Sequence, residues 1–167
     1  TEEVRRIFRL PCGEDVQPKF EHLLVAPDHL RDGFNALIDA ETEAARKGRP
    51  SGITAKMNSL QDRGIIDKLY EARAGGVPVR LIIRGICCLR PGVEGLSESI
   101  EVTSIVDRFL EHSRMFVFHA DGAEKLYLSS ADWMTRNLNR RVEVAFPIYD
   151  PAAREELRHV LDLQCAD

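Results

Sequence analysis

A chain of 167 residues is long enough for one full hydrophobic core, so a single domain is expected. Hydrophobic residues at 44% and charged residues at 30% exclude a disordered chain, and neither an apolar run of bilayer length nor a secretory pattern is found. The formal net charge of -4 excludes a general polyanion-binding surface, so any anion site must be local and built from a few converging arginines.

In chain order, residues 1–18 join a charged start, Glu2-Glu-Val-Arg-Arg6, to a stretch from Pro11 to Pro18 that carries Pro, Gly and Asp. They read as a linker entering from a preceding domain, with no self-contained element and no start methionine, as in a piece cut from something larger. Residues 19–167 then form the domain. His22-Leu-Leu-Val25 reads as a short strand. Pro27-Asp28 opens a helix, Leu30, Phe34, Leu37 and Ile38 follow helical spacing, and the helix stops near Lys47-Gly48. Residues 53–58 read as a strand and 62–74 as a helix ended by Gly75-Gly76. Pro78-Val-Arg-Leu-Ile-Ile83 is almost continuously apolar, as in a strand buried on both faces of a sheet. A loop with Pro91, Gly92 and Gly95 spans 86–98. Strands follow at 100–105, 115–118, 125–130 and 142–148, with a helical turn at 107–111. Pro151 starts a closing helix whose Leu157, Val160 and Leu161 face the core. Strand and helix alternate, which predicts an α/β fold with a mixed sheet and helices on both faces.

Cys12, Cys87, Cys88 and Cys165 match no CxxC pair or zinc-ligand set, so reduced thiols packed in a cytosolic domain are expected. The five histidines (22, 29, 112, 119 and 159) also lack metal-ligand spacing.

The chemistry-bearing residues lie around strand ends. Arg84 directly follows the buried strand 78–83 and precedes Gly85, where ligand sites of α/β sheets collect and a glycine lets a substrate approach the backbone. It can grip phosphate with two hydrogen bonds, or pair with a helix acid as a structural group. His112 and Arg114, two residues apart before Met115-Phe-Val-Phe118, point to one face, and the later strand ends in the paired hydroxyls of Ser129 and Ser130. An imidazole to carry a proton, cations to hold phosphate and hydroxyls to orient it suit phosphoryl chemistry. A lone histidine satisfied by a backbone carbonyl remains the alternative. Lys56 and Asn58 share a face of their strand. Arg136, Arg140 and Arg141 form a basic cluster that is either a site or a solvated face, and Glu143 lies where it can pair with Arg141.

Ser51-Gly-Ile-Thr-Ala-Lys56-Met-Asn58, Val77-Pro-Val-Arg-Leu-Ile-Ile-Arg84-Gly, Ser104-Ile-Val-Asp-Arg-Phe-Leu-Glu-His112-Ser-Arg114 and Tyr127-Leu-Ser-Ser-Ala-Asp-Trp-Met-Thr-Arg-Asn137 closely resemble the C-terminal domain of the bacterial polyphosphate kinases. The resemblance runs from about Phe20 to about Leu163. It implies a phospholipase D-like fold, in which two such domains each give a histidine motif to one cleft. It also implies an enzyme that reversibly moves the γ-phosphoryl of ATP to a histidine and then to polyphosphate, with magnesium required. In the family the phosphorylated histidine lies in the preceding catalytic domain, outside this chain. Carried onto this sequence, the second histidine is His112, as proton donor or transition-state stabiliser. The ATP-contacting arginine is Arg84, an arginine of the phosphate tunnel is Arg141, and a further basic position is Lys56.

The implied partners are ATP, ADP, polyphosphate, the preceding domains of the same polypeptide and further copies in a homo-oligomer, with no nucleic acid. The implied location is cytoplasmic, with peripheral membrane association of the full protein. Magnesium ligands are expected outside this chain, and the isolated chain is expected to be inactive. A phospholipase D-type half carries His-x-Lys and a later Gly-Ser-x-Asn. Here Arg114 and Ser129-Ser130-Ala-Asp132 stand in their place, which fits a supporting half. Two alternatives remain: a phospholipase D-like phosphodiesterase or nuclease with His112 as nucleophile, and a non-catalytic polyanion-binding module.

Overall fold

The structure, a computed structural model, describes residues 2–10, 19–27, 29–106 and 108–166. The described elements are α1 (Glu2–Arg9), β1 (Leu24–Ala26), α2 (Leu30–Arg46), β2 (Ile53–Met57), α3 (Arg63–Ala74), β3 (Val79–Ile83) and β4 (Ile100–Thr103). β5 (Met115–Phe118), β6 (Lys125–Ser129), α4 (Thr135–Arg140), β7 (Glu143–Pro147) and α5 (Pro151–Ala166) complete them. Among the described residues seven strands form one mixed sheet in the order β1-β7-β6-β5-β2-β3-β4. β2, β3 and β4 run parallel and the other pairings are antiparallel.

The alternation of side chains along the strands builds two cores. Ile53, Ala55, Met57, Leu81, Ile83, Phe116 and Phe118 face α2 and α3, where Leu30, Phe34, Ile38, Ile65 and Leu69 are fully buried. The neighbouring positions Ile82, Met115, Val117 and Leu126 face the other way and pack on Leu161 of α5, with Leu157 and Cys165 at the margin. The expected helices on both faces are therefore present. β5 is buried at all four positions because it is covered on both sides.

α2 ends as its sequence predicts. Gly48 takes φ +68, a left-handed conformation open to glycine at little cost, and its N–H donates to the carbonyl of Ala45. The start of α2 differs: regular helix begins at Leu30, three residues after Pro27, and Asp28 lies outside the described residues. α1 is a further correction, since residues 1–18 were expected to hold no element. The carboxylate of Glu3 accepts the backbone N–H groups of Glu21, His22 and Leu23, tying this helix to the strand edge. The Pro11–Pro18 stretch and Cys12 lie outside the described residues. The expected helical turn at 107–111 is irregular chain at the described residues 108–111, and α4 was not expected at all. In α5 Leu161 is buried, but Val160 is turned outward and 39% exposed, so it does not face the core.

α3 is held at its start by Asp62. This carboxylate caps the helix by accepting from Ile65 N, receives two 2.6 Å hydrogen bonds from Arg31 of α2, and accepts from Thr135 Oγ1 at 2.8 Å. Burial alone would push its pKa up, but the bonds from Arg31, Thr135 and the Ile65 N–H together hold it below the usual carboxylate value. A carboxyl lowered in the folded state stabilises the fold above its unfolded value, about 3.9, and the contribution is lost as the pH falls further. Asp62→Asn should therefore cost about 2–3 kcal/mol at pH 7. Urea midpoints of the two proteins should converge below about pH 4. A gap that stays constant into acid would refute the assignment.

Candidate active site

Sheet geometry gathers one cluster at a single end of the sheet. β2 and β3 run parallel and in register to Met57 and Ile83, so Asn58 and Arg84 emerge side by side. β5 is antiparallel to β2, with Met115 opposite Lys56, so residues 112–114 begin β5 beside the exit of β2. β6 returns antiparallel to β5, and Ser129 N donates to Arg114 O, which brings Asp132 alongside.

At the centre stands Asn58. Its Oδ1 accepts from Arg84 Nε at 2.6 Å and its Nδ2 lies 3.2 Å from His112 Nδ1. Arg84 Nη2 is also 3.2 Å from the same imidazole nitrogen. Arg84 is half-buried and has no carboxylate partner among the described residues, contrary to a structural arginine paired with a helix acid. It is a cation held by neutral acceptors, with charge left over for an anion. His112 is exposed, and no described residue bonds to its Nε2.

The other cations are committed internally. Arg114 donates from Nε and Nη2 to Asp132 at 2.9 and 3.3 Å, and from Nη1 to the carbonyl of His112. His112 and Arg114 lie at the same end of the sheet, just before β5 and outside any strand, and the Arg114 side chain braces the chain there. Arg114 and Asp132, the residues that replace the lysine and asparagine of a phospholipase D-type half, form an ion pair with each other. Lys56 is 3% exposed, and its ammonium donates to Glu111 and Ser113 at 2.7 Å each. That bond holds the Glu111 carboxyl below its usual range, and Gln164 of α5 donates to the same oxygen. Lys56 thus fastens the irregular segment 108–113 to the sheet and to α5.

Three sequence expectations are revised. Ser129 Oγ donates to Val144 O and Ser130 Oγ to the Glu143 carboxylate, so the paired hydroxyls hold β6 to β7 and are not aimed at the imidazole. Glu143 is buried and also accepts from Asn137 Nδ2, and it does not pair with Arg141. Arg141 follows α4, exposed and without an ion pair among the described residues, at the same end of the sheet but two strands from β5. Gly85 serves the chain itself: its N–H donates to Asn58 O, and a Cβ there would stand 2.9 Å from that oxygen.

Glu111 and Gln164 carried no signal in the sequence. Asp132 carried one, since an arginine and an acid replace two residues of a single motif. Cys87, Cys88 and Cys165 are free thiols, and burial pushes that of Cys87 up. No helix of the described residues is long and apolar enough to cross a membrane.

The site offers an unneutralised guanidinium, an imidazole and amide groups, with both nearby carboxylates occupied by Arg114 and Lys56. Such a donor set receives an anion and does not fit magnesium, which wants free oxygen ligands. Among the described residues no group of three or more His, Cys, Asp or Glu could hold a metal ion.

This layered sheet with its cluster at the strand ends is a phospholipase D-like fold. Nuc from Salmonella typhimurium, a phospholipase D family member, superposes on 85% of this chain and 91% of its own, with a TM-score of 0.58 and 16% identity. The match is one of fold. The particular family is given by sequence: residues 23–167 match the polyphosphate kinase C-terminal domain 2, and the chain belongs to that family. It is 49% identical over 165 residues to the polyphosphate kinase of Bacillus anthracis, covering 99% of this chain and 24% of that protein. It also superposes on the crystal structure of polyphosphate kinase from Porphyromonas gingivalis with a TM-score of 0.94 and 43% identity, over 98% of this chain and 25% of that one. The chain thus spans about a quarter of the length of the relatives it matches.

Proposed function

We propose that this chain supplies the supporting half of a polyphosphate kinase centre. The complete protein reversibly moves the γ-phosphoryl of ATP to a histidine outside this chain, then to the terminal oxygen of polyphosphate. Arg84 and Arg141 bind phosphate, and His112 stabilises the transition state by donating a hydrogen bond from Nε2 to the oxygen on which charge develops. Lys56 supports the site by fixing the segment that carries His112. Magnesium is held by the phosphates and by groups outside this chain. The complete protein works in the cytoplasm as a homo-oligomer.

The observation that carries this reading is the pair of donors facing His112 Nδ1, beside an arginine with no carboxylate partner. A histidine that attacks phosphorus through Nε2 needs its proton on Nδ1 and an acceptor there to hold it. Two donors make the opposite arrangement, which disfavours the phosphodiesterase reading with His112 as nucleophile.

The test is elongation of a short polyphosphate primer by this chain with ATP and magnesium, compared with a complete polyphosphate kinase carrying it. The chain alone should give no extension, and the complete protein should lengthen the primer. Extension by the chain alone would place the nucleophile among its own five histidines and overturn the half-site reading. Metal-independent cleavage of a phosphodiester by the chain alone would favour the nuclease reading instead.

A further inference from the structure

We propose that Asn58 is the positioning residue that sets the tautomer of His112, so that the imidazole carries its proton on Nε2 and presents that N–H to phosphate. The inference deepens the half-site reading and rests on it for its functional meaning, but its geometry stands alone.

Asn58 is fixed from three sides. Its backbone N–H donates to Asp132 Oδ1 at 2.8 Å, and its carbonyl accepts from Gly85 N at 2.8 Å. Arg84 Nε donates to its Oδ1 at 2.6 Å. An arginine has no acceptor, so this last bond decides which end of the amide is oxygen and turns the NH2 group toward His112. Arg84 Nη2 reaches the same Nδ1, so both neighbours of that nitrogen are donors. Nδ1 can then only accept, and the single proton of the neutral ring belongs on Nε2.

The position is decisive because an isosteric change reverses it. Aspartate at 58 would keep the bond from Arg84 Nε through one oxygen and place the other, an acceptor, against Nδ1. The ring would then carry its proton on Nδ1, and in the neutral form Nε2 would hold a lone pair in place of the N–H. Arginine at 84 cannot be reversed in this way, which makes Asn58 the determinant.

The experiment is nitrogen NMR of this chain with 15N-labelled imidazoles, at a pH where the histidines are neutral, with His112 assigned by H112Q. Wild type should show a pyridine-like, hydrogen-bonded Nδ1 and a pyrrole-like Nε2. Asn58→Asp should exchange the two signatures. Asn58→Leu, of similar volume but with no donor, serves if the aspartate variant does not fold, and should move His112 toward the mixed tautomers of a solvent-exposed ring. A protonated Nδ1 in wild type, or a wild-type pattern in both variants, would overturn the proposal. If the tautomers behave as expected while His112→Ala in a complete polyphosphate kinase keeps its synthesis, the half-site reading fails and the role of Asn58 stands.

Discussion

Replacing His112 with alanine in a complete polyphosphate kinase carrying this chain should lower polyphosphate synthesis by about 10²–10³-fold, the range for loss of one donor aimed at developing charge. The fold should survive, because the imidazole is exposed and the brace from Arg114 grips the carbonyl of residue 112, which alanine retains. Nucleotide binding should change far less than turnover, since on the half-site reading it is Arg84 that grips phosphate. The synthetic and reverse reactions should lose the same factor in kcat/KM. An enzyme does not alter the equilibrium between its substrates, so a group that serves the shared transition state serves both directions equally. Initial rates of chain extension and of ATP formation, read beside ATP affinity, check this. Undiminished synthesis would assign the chain to a polyanion-binding role without catalysis.

The strand pattern made this end of the sheet readable. Pro78 to Ile83 had to be a buried strand, so Arg84 had to emerge at its carboxyl end, and the period of two put Lys56 and Asn58 on one face. Periodicity does not say what faces a side chain. Lys56 looked like a free cation because Glu111 lies 55 residues away and Gln164 reaches the same carboxylate from a helix on the other side of the chain. Ser129 and Ser130 looked like donors for a ligand for the same reason: their acceptors lie on β7.

Short elements were harder still. An eight-residue helix such as α1 is marginal by itself, and its tethers include one carboxylate taking three N–H groups about twenty residues downstream and Arg6 donating to the carbonyl of Lys19. In α5, Val160 and Leu161 are neighbours in sequence but about 100° apart around the helix, so only one of them can point at the sheet. The two-residue spacing of His112 and Arg114 had already singled out the histidine, and the resemblance gave it an expected role before the geometry put it against Asn58 and Arg84.

Asp132→Ala should be the most damaging single change to stability in the site, at about 3–5 kcal/mol. The carboxylate is nearly buried, and so is the guanidinium of Arg114 that it neutralises, with side chains 8% and 12% exposed. Alanine would leave that cation without its counter-charge and strand the Asn58 N–H, which gives its bond to the same oxygen. Neither group can relax far, because Trp133 next in sequence is fully buried and stacked on Phe116, and its carbonyl accepts from Gln61 and Asp62. The two costs separate in a double-mutant cycle. Once Arg114 is itself alanine, deleting Asp132 should cost only the unsatisfied N–H, about 1–3 kcal/mol. Urea unfolding with an unchanged m-value reads each corner of the cycle. A loss below about 1 kcal/mol for Asp132→Ala, the range of exposed pairs, would show the brace to be dispensable. The expected loss would place the stability of the site and the placing of His112 in the same ion pair, since the arginine that Asp132 neutralises is the one that holds the His112 backbone.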